Sequence, residues 1–301
     1  MHSSNNIFSV AFQAMAGTCE VRLPASDEDA ARKLAQAAVD EVRRIEYKFS
    51  RYRDDSIVSR INAAAGRDWV ACDDETAALL TYADALFETS DGLFDITCGV
   101  LRRVWDFRQA ALPNVQDLQA ALALVGWDRV ERDASNIRLP LAGMELDFGG
   151  FGKEYAADRA AAILMAQGLE YGYVNLGGDM RFMGPQPDGS PWSIGIQDPR
   201  RPDAVVATIP IYSGALTTSG DYERFFELDG QRYCHILDPG TGYPVRHWRS
   251  VSVLAPLAIA AGSCATVAML KQADALDFLD GAHLAYLAID GDGKLHRKDL
   301  A

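Results

Sequence analysis

Met144-Glu145-Leu146-Asp147-Phe148-Gly149-Gly150-Phe151-Gly152-Lys153-Glu154-Tyr155-Ala156-Ala157-Asp158 reads as a strand end, a glycine turn and a helix start. Met144 to Asp147 has the composition of a buried strand end. Gly149, Gly150 and Gly152 permit a tight turn, and Lys153 onward through Leu164 reads as helix. Such a junction suits phosphate. Glycines let the backbone come close, and the free N–H groups of a helix N-terminus point at the anion. Lys153 adds a positive charge there, and Asp147 stands where a carboxylate holds a metal or a ribose hydroxyl. The glycine spacing fits neither a Walker P-loop nor GxGxxG, and on its own the stretch equally describes a plain βα turn.

The surrounding composition narrows the choices. A chain of 301 residues, 49% hydrophobic and 24% charged, suits one large globular domain or two fused ones. A net charge of −13 and a pI near 4.8 repel nucleic acid and anionic lipid, so neither is expected as a partner. Any bound phosphate then needs a local cation, either a metal or placed Lys and Arg. The cysteines, Cys19, Cys72, Cys98, Cys234 and Cys264, are scattered and form no CxxC, which suits a reducing compartment. The first residues carry no basic region and no long apolar run, and Thr18 spoils the lipobox-like Ala16-Gly17-Thr18-Cys19. A cytoplasmic protein is expected. Val251 to Leu270 is uncharged over about the length of a bilayer span. Pro256 and the many small residues point instead to a strand, a turn and a buried helix, with no membrane insertion.

Along the chain, Ile7–Phe12 and Glu20–Leu23 form an expected hairpin, and Ser26 is placed to cap a helix from Asp27 to Lys48. Helices are expected over residues 55–62, 74–90, 115–124, 257–272 and 273–279. Strands are expected at 172–175, 180–183, 192–196, 205–211, 233–237, 249–254 and 285–289, separated by Gly and Pro punctuation. The fold class is α+β: a single domain over residues 1–301, a mixed sheet with flanking helices.

Four further spots carry chemistry. Asn175-Leu176-Gly177-Gly178-Asp179 is a tight turn at a strand end. Thr217 to Tyr222 stacks hydroxyls beside Gly220, either a phosphate nest or an ordinary loop. His235 and Asp238 stand three apart before Pro239-Gly240, where a histidine can act as general base. Ser263 and Thr266 share one helix face. Among the aromatics, Tyr52, Phe94, Trp105 and Tyr222 can stack on a flat ring, although most aromatics are core.

Taken in order, these pieces resemble the ApbE-type FAD:protein FMN transferases. The resemblance runs from Met15-Ala16-Gly17-Thr18 through Phe49-Ser50-Arg51-Tyr52, Gly92 to Thr97, Asp147 to Asp158, Asn175 to Asp179 and Thr218 to Tyr222, ending at His235 to Gly242. It implies an ApbE-like domain with FAD as substrate, Mg²⁺ as cofactor and a flavin-accepting target protein as partner. Met15, Tyr52, Phe94, Asp95, Asp147, Lys153 and Ile236 would line the FAD site. Gly150, through its carbonyl, and Thr266 would hold the metal, with His235 and Asp238 as the catalytic pair. Two positions depart from the family pattern. Gly262 replaces the usual metal-binding Asp, and Glu154 replaces a usual glycine. The expected activity is FMN transfer from FAD to a Ser/Thr hydroxyl with release of AMP, Asp147 or water completing the metal shell. The alternatives are an FAD pyrophosphatase and a degenerate FAD-binding protein. Restoring Asp at position 262 is expected to raise Mg²⁺ affinity.

Overall fold

The computed structural model describes residues 6–299. Its centre is an eight-stranded sheet whose spatial order follows chain order. The strands are β1 (Asn6–Ala14), β2 (Gly17–Ala25), β3 (Gly172–Leu176), β4 (Asp179–Gly184), β5 (Gly214–Gly220), β6 (Trp248–Ala255), β7 (Ala285–Asp290) and β8 (Leu295–Lys298). The fold is α+β, but the sheet expected to be mixed is antiparallel at every pairing. β1 and β2 form the expected hairpin, closed by Met15 and Ala16 at φ 53° and 60°.

Between β2 and its neighbour β3 the chain inserts most of its helices: α1 (Glu28–Phe49), α2 (Ile57–Ala63), α3 (Asp74–Thr89), α4 (Val115–Leu122) and α5 (Gly152–Ala166). The cap of α1 is Asp27 rather than Ser26, because the Asp27 carboxylate accepts the Ala30 N–H at 2.8 Å. Ala31, Ala35, Ala38, Val42 and Ile45 make its buried stripe. Between β6 and β7 come α6 (Ala258–Lys271) and α7 (Ala275–Gly281). The uncharged stretch from Val251 is thus strand, turn and buried helix as expected. Among the described residues, no helix is long and apolar enough to cross a membrane. The helices α5 and α6 pack on one face of the sheet. The other face is covered by the hairpin Trp192–Asp198/Arg201–Ile211, whose Trp192, Ile196 and Ile211 meet Phe182 and Leu216.

Two readings of the sequence change. Residues 144–147 are extended but belong to no sheet. Their backbone is paired by a side chain instead: Leu146 N–H donates to Asn62 Oδ1 at 2.7 Å, and Asn62 Nδ2 donates to Leu146 O at 3.0 Å. Asp147 N–H completes the segment by donating to Ile96 O at 2.9 Å. Conversely, Thr217 to Ser219, read as a nest or loop, lie in the central strand β5, and the strand expected over 233–237 ends at Cys234.

Candidate functional site: a two-lobed cleft with a cationic waist

α5 begins at Gly152 without a side-chain cap. The Gly152 N–H donates instead to Phe148 O at 2.7 Å, and Gly149, Gly150 and Lys153 line the cleft beside it. The turn is tight for a steric reason. A Cβ at Gly150 would lie 2.8 Å from Phe94 Cζ, so only glycine lets the two surfaces meet. The cleft has two lobes, of about 220 Å³ and 320 Å³. Arg102, Asp147, Gly149, Lys153, Thr218, Glu223 and His235 are common to both and form the waist. The first lobe continues to Phe94, Ile96, Gly150, Glu154, Ile236 and Thr266. The second opens past Met15, Glu46, Phe49, Tyr52, Gly177 and Arg224.

Charge concentrates at the waist. Lys153 Nζ lies 2.7 Å from the buried carboxylate of Asp179. Burial alone would push the Lys153 ammonium down, but Asp179 and Glu154 outweigh it and hold it above its usual range. Asp147 sits between Arg51 at 3.1 Å and Arg102 at 3.4 Å and also accepts Gly149 N–H at 2.9 Å. Burial works to raise its carboxyl; Arg102 and Arg51 reverse that and keep it below the ordinary carboxylate range. His235 follows the strand end at Cys234, and its Nδ1 is buried without a partner. Burial, followed by the nearby Arg102 and Arg224, pushes its imidazole down to about 4. The ring is therefore neutral at pH 7.

Most of the expected site residues converge here, and several do so in altered roles. Met15 reaches the second lobe from the β1–β2 turn, its N–H donating to Glu46 Oε1 at 2.7 Å. Tyr52 is 77% exposed at the mouth of the same lobe, free to stack on a planar ring. Phe94 and Ile236 supply apolar walls to the first. Asp95 borders that lobe, but its carboxylate is occupied: Thr97 N–H and Oγ1 donate to Oδ1, and Trp127 N–H donates to Oδ2 at 2.9 Å. It fixes the wall rather than offering oxygens to a ligand. Asp147, expected to hold a metal or a ribose hydroxyl, is instead engaged by two guanidinium groups.

Asp238 does not join His235. Its Oδ1 accepts Gly240 N–H and Thr241 N–H, each at 2.8 Å, so the carboxylate closes the Asp-Pro-Gly-Thr-Gly turn. Of the helix-face pair, Thr266 reaches the first lobe, 2.9 Å from Ser219 Oγ, whereas Ser263 pairs with Tyr82 in the core at 3.1 Å. Sequence reading missed Arg51 and Arg102 as the cations holding the waist. Each sits near the end of a helical element, where periodicity carries no signal.

Fold and cleft together define a class: α+β proteins in which an antiparallel sheet and a helical insertion enclose a groove with a waist of paired charges. The sequence pattern of the ApbE family matches residues 15–288, and the chain belongs to that family. It is 34% identical over 248 residues to an FAD:protein FMN transferase of Klebsiella pneumoniae, covering 81% of this chain and 75% of that protein. The FAD:protein FMN transferase of Treponema pallidum is 35% identical, over 76% of this chain and 70% of its own. The crystal structure of the ApbE protein of Thermotoga maritima superposes with a TM-score of 0.88 at 32% identity, covering 98% of this chain and 97% of its own. The flavin transferase ApbE of Vibrio cholerae gives 0.86 at 26% identity, with coverage of 97% and 96%.

Proposed function

We propose that this protein transfers FMN from FAD to a Ser or Thr hydroxyl of a target protein, in a Mg²⁺-dependent reaction that releases AMP. One observation carries the reading. The waist that joins the two lobes combines the uncapped start of α5, the ammonium of Lys153 and the guanidinium of Arg102. A dinucleotide needs that arrangement, with two ring systems on either side of a diphosphate. An acidic chain gains local affinity for the diphosphate only from such placed cations.

The residues divide the work. Lys153 grips the diphosphate at the glycine turn, while Arg51 and Arg102 hold Asp147 so that the turn keeps its shape. Tyr52 and Met15 take one ring system; Phe94 and Ile236 bound the other. The acceptor oxygen bonds to the FMN phosphorus, the P–O–P link to AMP breaks, and the hydroxyl proton passes to the His235 imidazole. Its unliganded basicity is low, and the negative charge of the bound diphosphate raises it toward the working pH. AMP leaves with the bridging oxygen.

Among the described residues, no three His, Cys, Asp or Glu side chains group around one metal position, so a cation here would draw on hydroxyl and backbone oxygens as well. The Thr266 hydroxyl and Gly150 border the same lobe as a buried carboxylate oxygen that has no partner. That donor set suits Mg²⁺, held by the Gly150 carbonyl, Thr266 and a carboxylate. When bound, Mg²⁺ neutralises the diphosphate and stabilises charge on the phosphoryl in transfer.

The test is incubation with FAD, MgCl₂ and a flavin-accepting protein domain, followed by denaturing electrophoresis. Covalent flavin fluorescence on the acceptor is expected. AMP release without a labelled acceptor would replace the transferase with a pyrophosphatase, and FAD binding with neither product would leave only a binder.

A further inference from the structure

Glu154 is the unusual group in the first lobe. It is the third residue of α5, only 7% exposed, and it lines the lobe that Thr266 and Gly150 also line. Its Oε2 is buried with no hydrogen-bond partner. A buried carboxylate oxygen without a partner is costly and calls for a cation or a donor that completes it. Lys153 does not fill that place, because its ammonium pairs with Asp179.

Across the helix interface stands Gly262 of α6. A Cβ built there would lie 2.6 Å from both Glu154 Cγ and Oε1, and 2.9 Å from Cδ. The Glu154 side chain thus occupies the space into which a side chain at 262 would grow. A side chain at 262 would force Glu154 to move aside, and this chain carries its carboxylate on α5 and none on α6. Gly262 precedes Thr266 by one helical turn on the same helix face, and Glu154 and Thr266 line the same lobe.

We propose that Glu154 supplies the anionic oxygen ligand of the divalent cation, delivered from α5 into the space left open by Gly262. The two departures from the family pattern are then one exchange, with the same charge reaching the same pocket from the opposite helix. This inference rests on the Mg²⁺-dependent reading above. It also revises the expectation for position 262. Restoring Asp there alone would drive its Cβ into Glu154 and set two carboxylates against each other.

The measurement is binding of MnCl₂ to the full chain, followed by the loss of the free-ion electron paramagnetic resonance signal. It is paired with FAD binding in metal-free buffer, read by flavin fluorescence. Glu154→Gln, which keeps size and removes the carboxylate, is expected to weaken Mn²⁺ binding at least about tenfold while the variant still binds FAD in metal-free buffer. Gly262→Asp alone should bind the ion no better than wild type. The double variant Glu154→Gly with Gly262→Asp should return to within about threefold of wild type. The circular dichroism spectrum and cooperative thermal melt of metal-free Glu154→Gln should match wild type, which shows that the variant is folded. Unchanged Mn²⁺ affinity in Glu154→Gln overturns the proposal, as does failure of the folded double variant to bind the ion. Absence of FAD binding by the wild type would instead sink the flavin reading, and the Mn²⁺ comparison would still judge the carboxylate.

Discussion

Asn62→Ala should be among the most damaging single changes that touch no ligand. The side chain makes two hydrogen bonds to the backbone of one residue, at 2.7 Å and 3.0 Å, and Leu146 itself is fully buried. Removing the amide loses two bonds of about 1 kcal/mol each and strands a buried N–H and a buried C=O, at about 1–3 kcal/mol apiece. Partial relaxation and water entry reduce that sum, so a loss of about 2–5 kcal/mol is expected. Urea unfolding followed by tryptophan fluorescence measures it, as a fall in midpoint with little change in slope. The damage should reach the cleft as well, because Asp147 and the glycine turn follow Leu146 directly. FAD affinity, by flavin fluorescence, should fall with stability. Asn62→Asp keeps an acceptor for the Leu146 N–H and loses the donor, so it should fall between alanine and wild type. A loss below about 0.5 kcal/mol in the alanine variant would refute the view that Asn62 stands in for a neighbouring strand.

Other substitutions probe the waist and its walls. His235→Ala should slow flavin transfer by about 10²-fold or more and leave FAD affinity nearly unchanged; loss of binding instead would deny it the role of base. The folded-state imidazole is depressed from 6.5 to about 4. Its contribution to stability is therefore full above pH 6.5 and is lost as pH falls through about 4; thermal melts from pH 7 to pH 4 should show a shallower decline in His235→Ala. Lys153→Ala strands the buried Asp179 carboxylate. It should lower both the melting temperature and FAD affinity, and an unchanged affinity would remove Lys153 from the diphosphate site. Gly150→Ala pushes a methyl against Phe94 and should cost about 1–3 kcal/mol, measured by chemical unfolding; a neutral result would mean the turn is looser than its contacts indicate.

Much of the scaffold was legible because its signals are local. The amphipathic run after Ser26 announces α1, although the cap proves to be Asp27, and the paired glycines 177 and 178, at φ 61° and 99°, announce the turn between β3 and β4. β5 was not legible. Ala215, Leu216 and Thr217 are buried in succession, so no alternation marks a strand, and the hydroxyl run looks like a loop. The segment from Met144 misled in the other direction. It is apolar and extended like a strand, but its partner is a side chain from α2. At the site, the glycine turn, Lys153 and His235 could be picked out in one dimension. Asp238 gave no sign in the sequence that its Oδ1 closes the following turn rather than reaching His235. Glu154 and Gly262 were both visible as oddities, and only their packing across α5 and α6 makes them a pair.

The long insertion between β2 and β3 has a consequence for how this protein is made. Cys19 must find Leu176 across the whole helical region before the two strands can zip together. Closing so large a loop is slow, and contacts between distant residues dominate the rate. The β1–β2 hairpin can form while the ribosome is still at work, yet His235 and Thr266 are made only after the whole helical insertion. A nascent or truncated chain therefore holds no half-strength enzyme. Affinity for nucleotide should switch on late and abruptly during refolding, which makes it a more sensitive reporter of complete assembly than helix content.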